Sequence, residues 1–132
     1  LLLAGHLAVD LVPQGTPTER IRAGGAGLGG ILTPTGIGTV VAEGKQVITV
    51  AGTPHLPELP LRADFALIEA HEADHSGNLT YRLTATIFNP LMALDAVVVI
   101  TEPKEIVPVG VIPPDAVKTP GILVTHLVER PR

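Results

Sequence analysis

Three groups of residues in this 132-residue chain have the types and spacing that chemistry needs. His71, Glu72 and His75 match H-E-x-x-H, in which two histidines on one helical face hold zinc and the glutamate activates a bound water. That chemistry requires a helix, because only there do residues four apart share a face. Residues 64–70, DFALIEA, read instead as a largely apolar strand, and Ser76, Gly77 and Asn78 follow as turn formers. A solvated turn beside a charged pair is therefore the reading set against a zinc hydrolase, for which Glu102 is an imaginable third ligand. The expected metal set is none.

Gly25, Gly27 and Gly30 satisfy the G-x-G-x-x-G spacing of dinucleotide-binding loops. That fingerprint works when a strand leads into it and a helix follows, so that the helix N-terminus meets a pyrophosphate. Here a helix precedes and Thr33-Pro34-Thr35-Gly36 follows. Two other uses of the glycines stay open: a loop that needs positive φ, or small residues that let a substrate or a partner backbone come close.

The third group lies in residues 11–30, LVPQGTPTERIRAGGAGLGG. A strand over residues 8–12 would deliver Gln14 at its C-terminal end, beside Gly15 and the start of a helix, where α/β sheets place ligand-contacting groups. A neutral amide donor there suits a carboxylate or carbonyl oxygen. Gln14 could equally cap or bridge the turn.

The elements that must position these residues follow from the same reading. Thr16 and Glu19 stand at capping-box spacing with Pro17 at the first helical position, and Gly24 is the expected stop. A long loop follows. Residues 38–42 and 46–50 are β-rich runs joined by Glu43, Gly44 and Lys45, which predicts an antiparallel hairpin. Pro54, Pro57 and Pro60 predict an extended connection rather than a sheet interior. After the strand over residues 64–70 and the turn over 74–78, another strand begins at residues 79–82. Asn89-Pro90 is expected to open a short helix through Asp95. It leads to a strand at 97–101 buried on both faces, and residues 122–128 predict a last strand. Alternating strands and short helices predict an α/β domain with a mixed, parallel-rich sheet, short helices and a β-hairpin insertion. Two helices are thin cover for that sheet, so the domain is expected to be incomplete.

Composition narrows the function classes. A net charge of −4 and 2% aromatic residues leave no electrostatic footprint or stacking platform for nucleic acid. With no cysteine there is no disulfide framework, thiolate metal site or cysteine nucleophile, which fits a reducing cytoplasm. The longest apolar runs are strand-sized, so no membrane partner is expected. The opening LLLAGHLAVD does not read as a signal peptide.

The segments PQGT from Pro13, ERIRAGGAG from Glu19 and TPTG from Thr33, in this order, resemble the A (alpha) subunit of family I coenzyme A transferases of the acetoacetate and succinyl 3-oxoacid type. The likeness continues through VVAEGK at Val40, LRADFALI at Leu61, AD at Ala73 with GN at Gly77, FNPLMA at Phe88 and TPGILV at Thr119. It covers nearly the whole chain, without the Gly-rich N-terminal portion usual in that subunit. The resemblance implies one domain over residues 1–132 that takes part in moving coenzyme A between an acyl-CoA and a short-chain (3-oxo)carboxylic acid. It implies a cytoplasmic hetero-oligomer with a B subunit, which carries the nucleophilic glutamate in a Glu-Asn-Gly motif absent here. Coenzyme A would be a substrate, with no permanently bound cofactor. No catalytic residue is expected in this chain, and Glu19, Glu43, Glu69 and Glu72 match no nucleophile position. The implied substrate-binding residues are Gln14 and Gly15, near the substrate carboxylate, and Gly24, Gly25, Ala26 and Gly27, in the loop close to the B half. A catalytically silent assembly module of the same fold is the alternative.

Overall fold

The computed structural model describes residues 4–7 and 9–130. Helix α1 (Gly15–Gly25) is followed by strands β1 (Ile31–Thr33), β2 (Ile48–Val50), β3 (Thr53–Glu58), β4 (Ala63–Asp74) and β5 (Leu79–Thr80). Helix α2 (Ala85–Asp95) then leads into β6 (Ala96–Val107), and β7 (His126–Leu127) comes last, with short 3₁₀ turns at Val40–Ala42, Pro114–Ala116 and Gly121–Leu123. The larger sheet has the order β5-β4-β6-β7. β4 and β6 run parallel, as do β6 and β7, while β5 is antiparallel to β4. The mixed, parallel-rich α/β sheet expected from the sequence is therefore present. A smaller antiparallel sheet, β1-β3-β2, stands as the insertion.

Period-2 alternation along β4 decides which face is core. Ala66, Ile68 and Ala70 are buried and pack with Val99 of β6, Ala93 of α2, Ala73, Leu79 and Tyr81. Met92 and Leu127 close that cluster. Phe65 and Leu67, on the opposite face of the same strand, are 66% and 72% exposed. The strand over residues 97–101 is correspondingly not buried on both faces. Val99 and Thr101 are fully covered, whereas Val97 is 79% exposed. A β-branched run shows that a segment pairs well in a sheet, not how many layers cover it.

Several other boundaries moved, each for a local reason. No strand forms over residues 9–13, and Ala8 lies outside the described residues; Leu11 is 87% exposed, with no neighbouring strand to satisfy that backbone. The capping box does not form. Gln14 is the helix-flanking residue, Thr16 is buried within the first turn with its N–H donated to the Pro13 carbonyl (2.8 Å), and Glu19 pairs with Arg22 instead (3.1 Å). Pro17 still falls in the first turn, where a missing donor costs nothing.

The hairpin also shifted. Residues 40–42 form a 3₁₀ turn, and β2 pairs with β3 across Ala51 and Gly52, whose φ values of 48° and 80° supply the two left-handed residues of a tight turn. Prolines 54 and 57 therefore lie inside a strand. β3 tolerates them because each half has a partner on one side only, β2 opposite residues 53–55 and β1 opposite 56–58. In each three-residue pairing the proline is the central partner, so its missing N–H points to the open side. Pro103 does the same in β6. The carbonyls of Val99 and Thr101 accept from Thr125 and Val128 on the β7 side, and Pro103 presents a donor-free position to that edge once β7 has ended.

Helix α2 begins at Ala85, five residues before Pro90, rather than at Asn89. Pro90 leaves the Thr86 carbonyl without its helical donor, yet Ala93, buried in the core, holds the helix across that break. The segments at 79–82 and 122–128 shrink to the two-residue strands β5 and β7, which pair with Glu72 and Ala73 of β4 and with Ile100 and Thr101 of β6.

Candidate functional site

Gln14 stands where the coil enters α1. Its side chain makes no capping hydrogen bond, and its carbonyl accepts from Thr18 Oγ1 at 2.9 Å. The capping role weighed for this residue is thus unused. Beside it, Gly15, Thr16 and Glu19 of α1 and Ile31, Leu32, Thr33 and Thr35 line a cavity of about 340 Å³. Segments from both sides of the glycine loop, PQGT and TPTG, meet around this one space because α1 packs beside β1. The lining offers hydroxyls and one carboxylate, and the Glu19 carboxylate is held by the Arg22 guanidinium. Such a surface can orient a carboxylate or thioester oxygen through neutral donors, but it holds no activated nucleophile.

The glycine group sits at the other end of α1, roughly 15 Å away at 1.5 Å per residue. The structure does not bring Gln14 and Gly15 together with residues 24–27. Gly24 is not the helix stop. The helix continues through Gly25, and the chain leaves by a Schellman arrangement in which Leu28 N–H bonds the Ala23 carbonyl (2.8 Å) and Gly27 N–H the Gly24 carbonyl (3.1 Å). Gly27, at φ 71°, is the left-handed residue this requires. Gly24 and Gly25 answer to close packing instead. A Cβ on Gly24 would overlap the Leu61 carbonyl oxygen and Asp95 Oδ1, and one on Gly25 would stand 2.6 Å from Leu94 Cγ. Gly30 (φ 145°) has the Glu58 carbonyl oxygen 2.6 Å from its Cβ position. Of the uses open for G-x-G-x-x-G, positive φ and close approach both occur, the latter to backbone and side chains of this same chain. No strand enters the loop and no helix leaves it, so the nucleotide fingerprint is not formed.

His71 and Glu72 lie on β4, and His75 follows in the turn. Without a helix the two histidines do not share the face that zinc ligation demands, and among the described residues no three His, Asp or Glu side chains gather as a metal site. The motif match is therefore overturned by local structure. Glu102 is engaged by Arg130 (2.6 Å).

Two side chains near these loops escaped sequence reasoning. Asn89 Oδ1 accepts the Glu69 N–H on the edge of β4 (3.3 Å). Asp95, the last residue of α2, is 8% exposed, and its Oδ1 has no hydrogen-bond partner among the described residues. Burial pushes its carboxyl up, partly offset by the Arg62 guanidinium. An acidic residue closing an apolar helix was the only available signal, and such residues are ordinarily solvated.

The fold is thus a parallel-rich α/β sheet with an uncharged amide at the entrance of α1, beside a cavity lined by hydroxyls and one carboxylate. Residues 1–130 match the family model for coenzyme A transferase, and the chain belongs to that family. It is 56% identical over 127 residues to the alpha subunit of acetate CoA-transferase from Escherichia coli (strain K12), covering 96% of this chain and 58% of that relative. It is 47% identical over 130 residues to the acetoacetyl-CoA:acetate/butyrate CoA transferase alpha subunit of Clostridium acetobutylicum, covering 98% and 60%. The chain thus spans a little over half the length of these curated relatives. Among solved structures, glutaconate coenzyme A-transferase from Acidaminococcus fermentans shares the fold at a TM-score of 0.86 and 19% identity, over 98% of this chain and 48% of that one. An acyl-CoA transferase from E. coli O157:H7, solved as a thioester complex with CoA, matches at 0.79 and 25% identity, over 90% and 27%.

Proposed function

We propose that this chain is part of the A (alpha) subunit of a CoA transferase that exchanges coenzyme A between an acyl-CoA and a short-chain or 3-oxo carboxylic acid. The observation that carries this reading is the family match over residues 1–130. The relatives are named for different acids, acetate in one and acetate or butyrate in another, and a 48% identical relative from Acinetobacter baylyi is the corresponding subunit of a 3-oxoadipate CoA-transferase. The acyl preference is accordingly assigned only to the short-chain and 3-oxo class.

In the proposed reaction a B-subunit glutamate attacks the acyl-CoA thioester, forming an acyl anhydride and expelling the CoA thiolate. The thiolate then attacks the glutamyl carbonyl, giving an enzyme thioester and releasing the first carboxylate. The second acid reverses both steps. Within this scheme Gln14 donates its amide hydrogens to an oxygen of the acyl acid, Gly15 leaves room for that group, and residues 24–27 face the B subunit. Residues 1–132 act as one domain of a cytoplasmic hetero-oligomer. No helix among the described residues is long and apolar enough to cross a membrane. An assembly module that kept the fold without the chemistry is the second reading, and no separate observation favours it.

The test is CoA transfer from acetoacetyl-CoA to acetate by the alpha chain assembled with its B subunit. The assembled enzyme is expected to be active, and this chain alone inactive. Gln14→Ala should lower kcat/KM by about 10²-fold, the usual effect of deleting one oriented donor. Activity in the isolated chain, or an unchanged kcat/KM in the variant, would remove the corresponding part of the proposal.

A further inference from the structure

Asp95 stands where α1 and α2 both end. Its Oδ1 rests against Gly24, the Leu61 carbonyl crowds the same point, and Leu94 packs on Gly25 one residue further along. The Leu61 N–H in turn bonds the Arg20 carbonyl of α1 (3.1 Å), so the strand entrance, the end of α2 and the end of α1 are tied together at this junction.

This is an unfavourable place for a carboxylate. The negative ends of two helix dipoles converge there, the Leu61 carbonyl adds a third acceptor, and Oδ1 has no donor among the described residues. Arg62, exposed at the rim of the neighbouring apolar pocket, is the charged group that acts on it. The remaining charges nearby are engaged elsewhere: Arg20 donates to the Leu59 carbonyl and Arg22 pairs with Glu19. Asp95 is the only charged residue in α2. A leucine is larger and would press on Gly24 and the Leu61 carbonyl, whereas the short Asp95 side chain fits against them in spite of its electrostatic cost.

We propose that Asp95 is a positioning residue: its side chain is the abutment against which the last turn of α1 rests at Gly24, and it thereby sets the course of residues 24–30 at the end of the helix. The inference rests on the reading of residues 24–27 as the loop facing the B subunit. Asp95 itself touches no substrate.

The experiment compares Asp95→Asn and Asp95→Ala in the alpha chain assembled with its B subunit, by hydrogen–deuterium exchange and by steady-state kinetics. Asparagine keeps the shape and should leave exchange over residues 24–30 and kcat/KM within about twofold of the parent. Alanine removes the abutment. It should raise exchange over residues 24–30 about tenfold, leave that of residues 99–107 unchanged, and lower kcat/KM about tenfold. Unchanged exchange over residues 24–30 in the alanine variant overturns the role of Asp95, whatever the kinetics. A uniform rise across the chain also overturns it, since Asp95 would then merely hold the fold. Raised loop exchange with unchanged kinetics upholds the positioning role and overturns the reading of residues 24–27 as a working interface.

Discussion

Gly24→Ala is expected to cost about 3 kcal/mol of stability or more, and Gly27→Ala about 1 kcal/mol, although both belong to the same glycine-rich stretch of sequence. The difference lies in what surrounds each Cα. A methyl group on Gly27 meets nothing within 4 Å, so the penalty is that of holding alanine at φ 71°. A methyl group on Gly24 meets the backbone carbonyl of Leu61, which is itself fixed by the Leu61 N–H bond to Arg20. The Asp95 carboxyl on the other side is buried and also has nowhere to go. Relief requires α1 to lift from α2, which uncovers Ala23, now 1% exposed. Urea unfolding monitored by circular dichroism should show the midpoint of the Gly24 variant falling well below that of the Gly27 variant at similar slope. Equal midpoints would mean that the α1–α2 junction yields easily. Asp95→Ala should not rescue Gly24→Ala, because the Leu61 carbonyl remains.

These two glycines also mark how far the sequence could be read. That a run of glycines closes the first helix was legible, and the α/β class followed from β-branched runs alternating with an apolar helix. Which glycine ends the helix was not, because a Schellman turn and a close helix crossing both select glycine and only packing separates them. The same limit governs His71, Glu72 and His75, where residue types fit zinc but the period of β4 sets the geometry. Prolines 54 and 57 misled in the opposite direction. They argue against a central strand, and β3 is central in the sheet order, yet each proline faces a side its neighbour does not reach. The place of Gln14 just before a helix was legible, but the cavity lined by its neighbours Gly15 and Thr16 depends on β1, three residues that sequence reading left in the loop. Asp95 was invisible, since its burial is created by residues 24 and 61, far away in sequence.

The second large effect is expected at Asp74, where a short turn is held by one carboxylate. Asp74 is 2% exposed; its Oδ1 accepts from the N–H groups of Ser76 and Asn78, both at 2.9 Å, and its Oδ2 from Asn78 Nδ2 at 2.8 Å. Asn78 completes the link by accepting the Gly121 N–H at 3.0 Å, which fixes the 3₁₀ turn before β7 against the end of β4. Burial alone would raise the affinity of this carboxyl for a proton, but the Asn78 side-chain amide, the Asn78 and Ser76 N–H groups and nearby His75 outweigh it and hold the group below 3.8. A carboxylate whose folded value is depressed stabilises the fold above its unfolded value near 3.8, and that contribution disappears as pH falls through the lower folded value. Asp74→Ala strands three donors and should cost about 3 kcal/mol at pH 7. Asp74→Asn keeps an acceptor at Oδ1 but sets one amide group against another, and should cost about half as much. Chemical unfolding at pH 7 and again below pH 3.8 should show the asparagine variant approaching the parent in acid as the parent loses its charge. A gap between them that is the same at both pH values would mean that the charge of Asp74 contributes nothing and that its shape alone holds the turn.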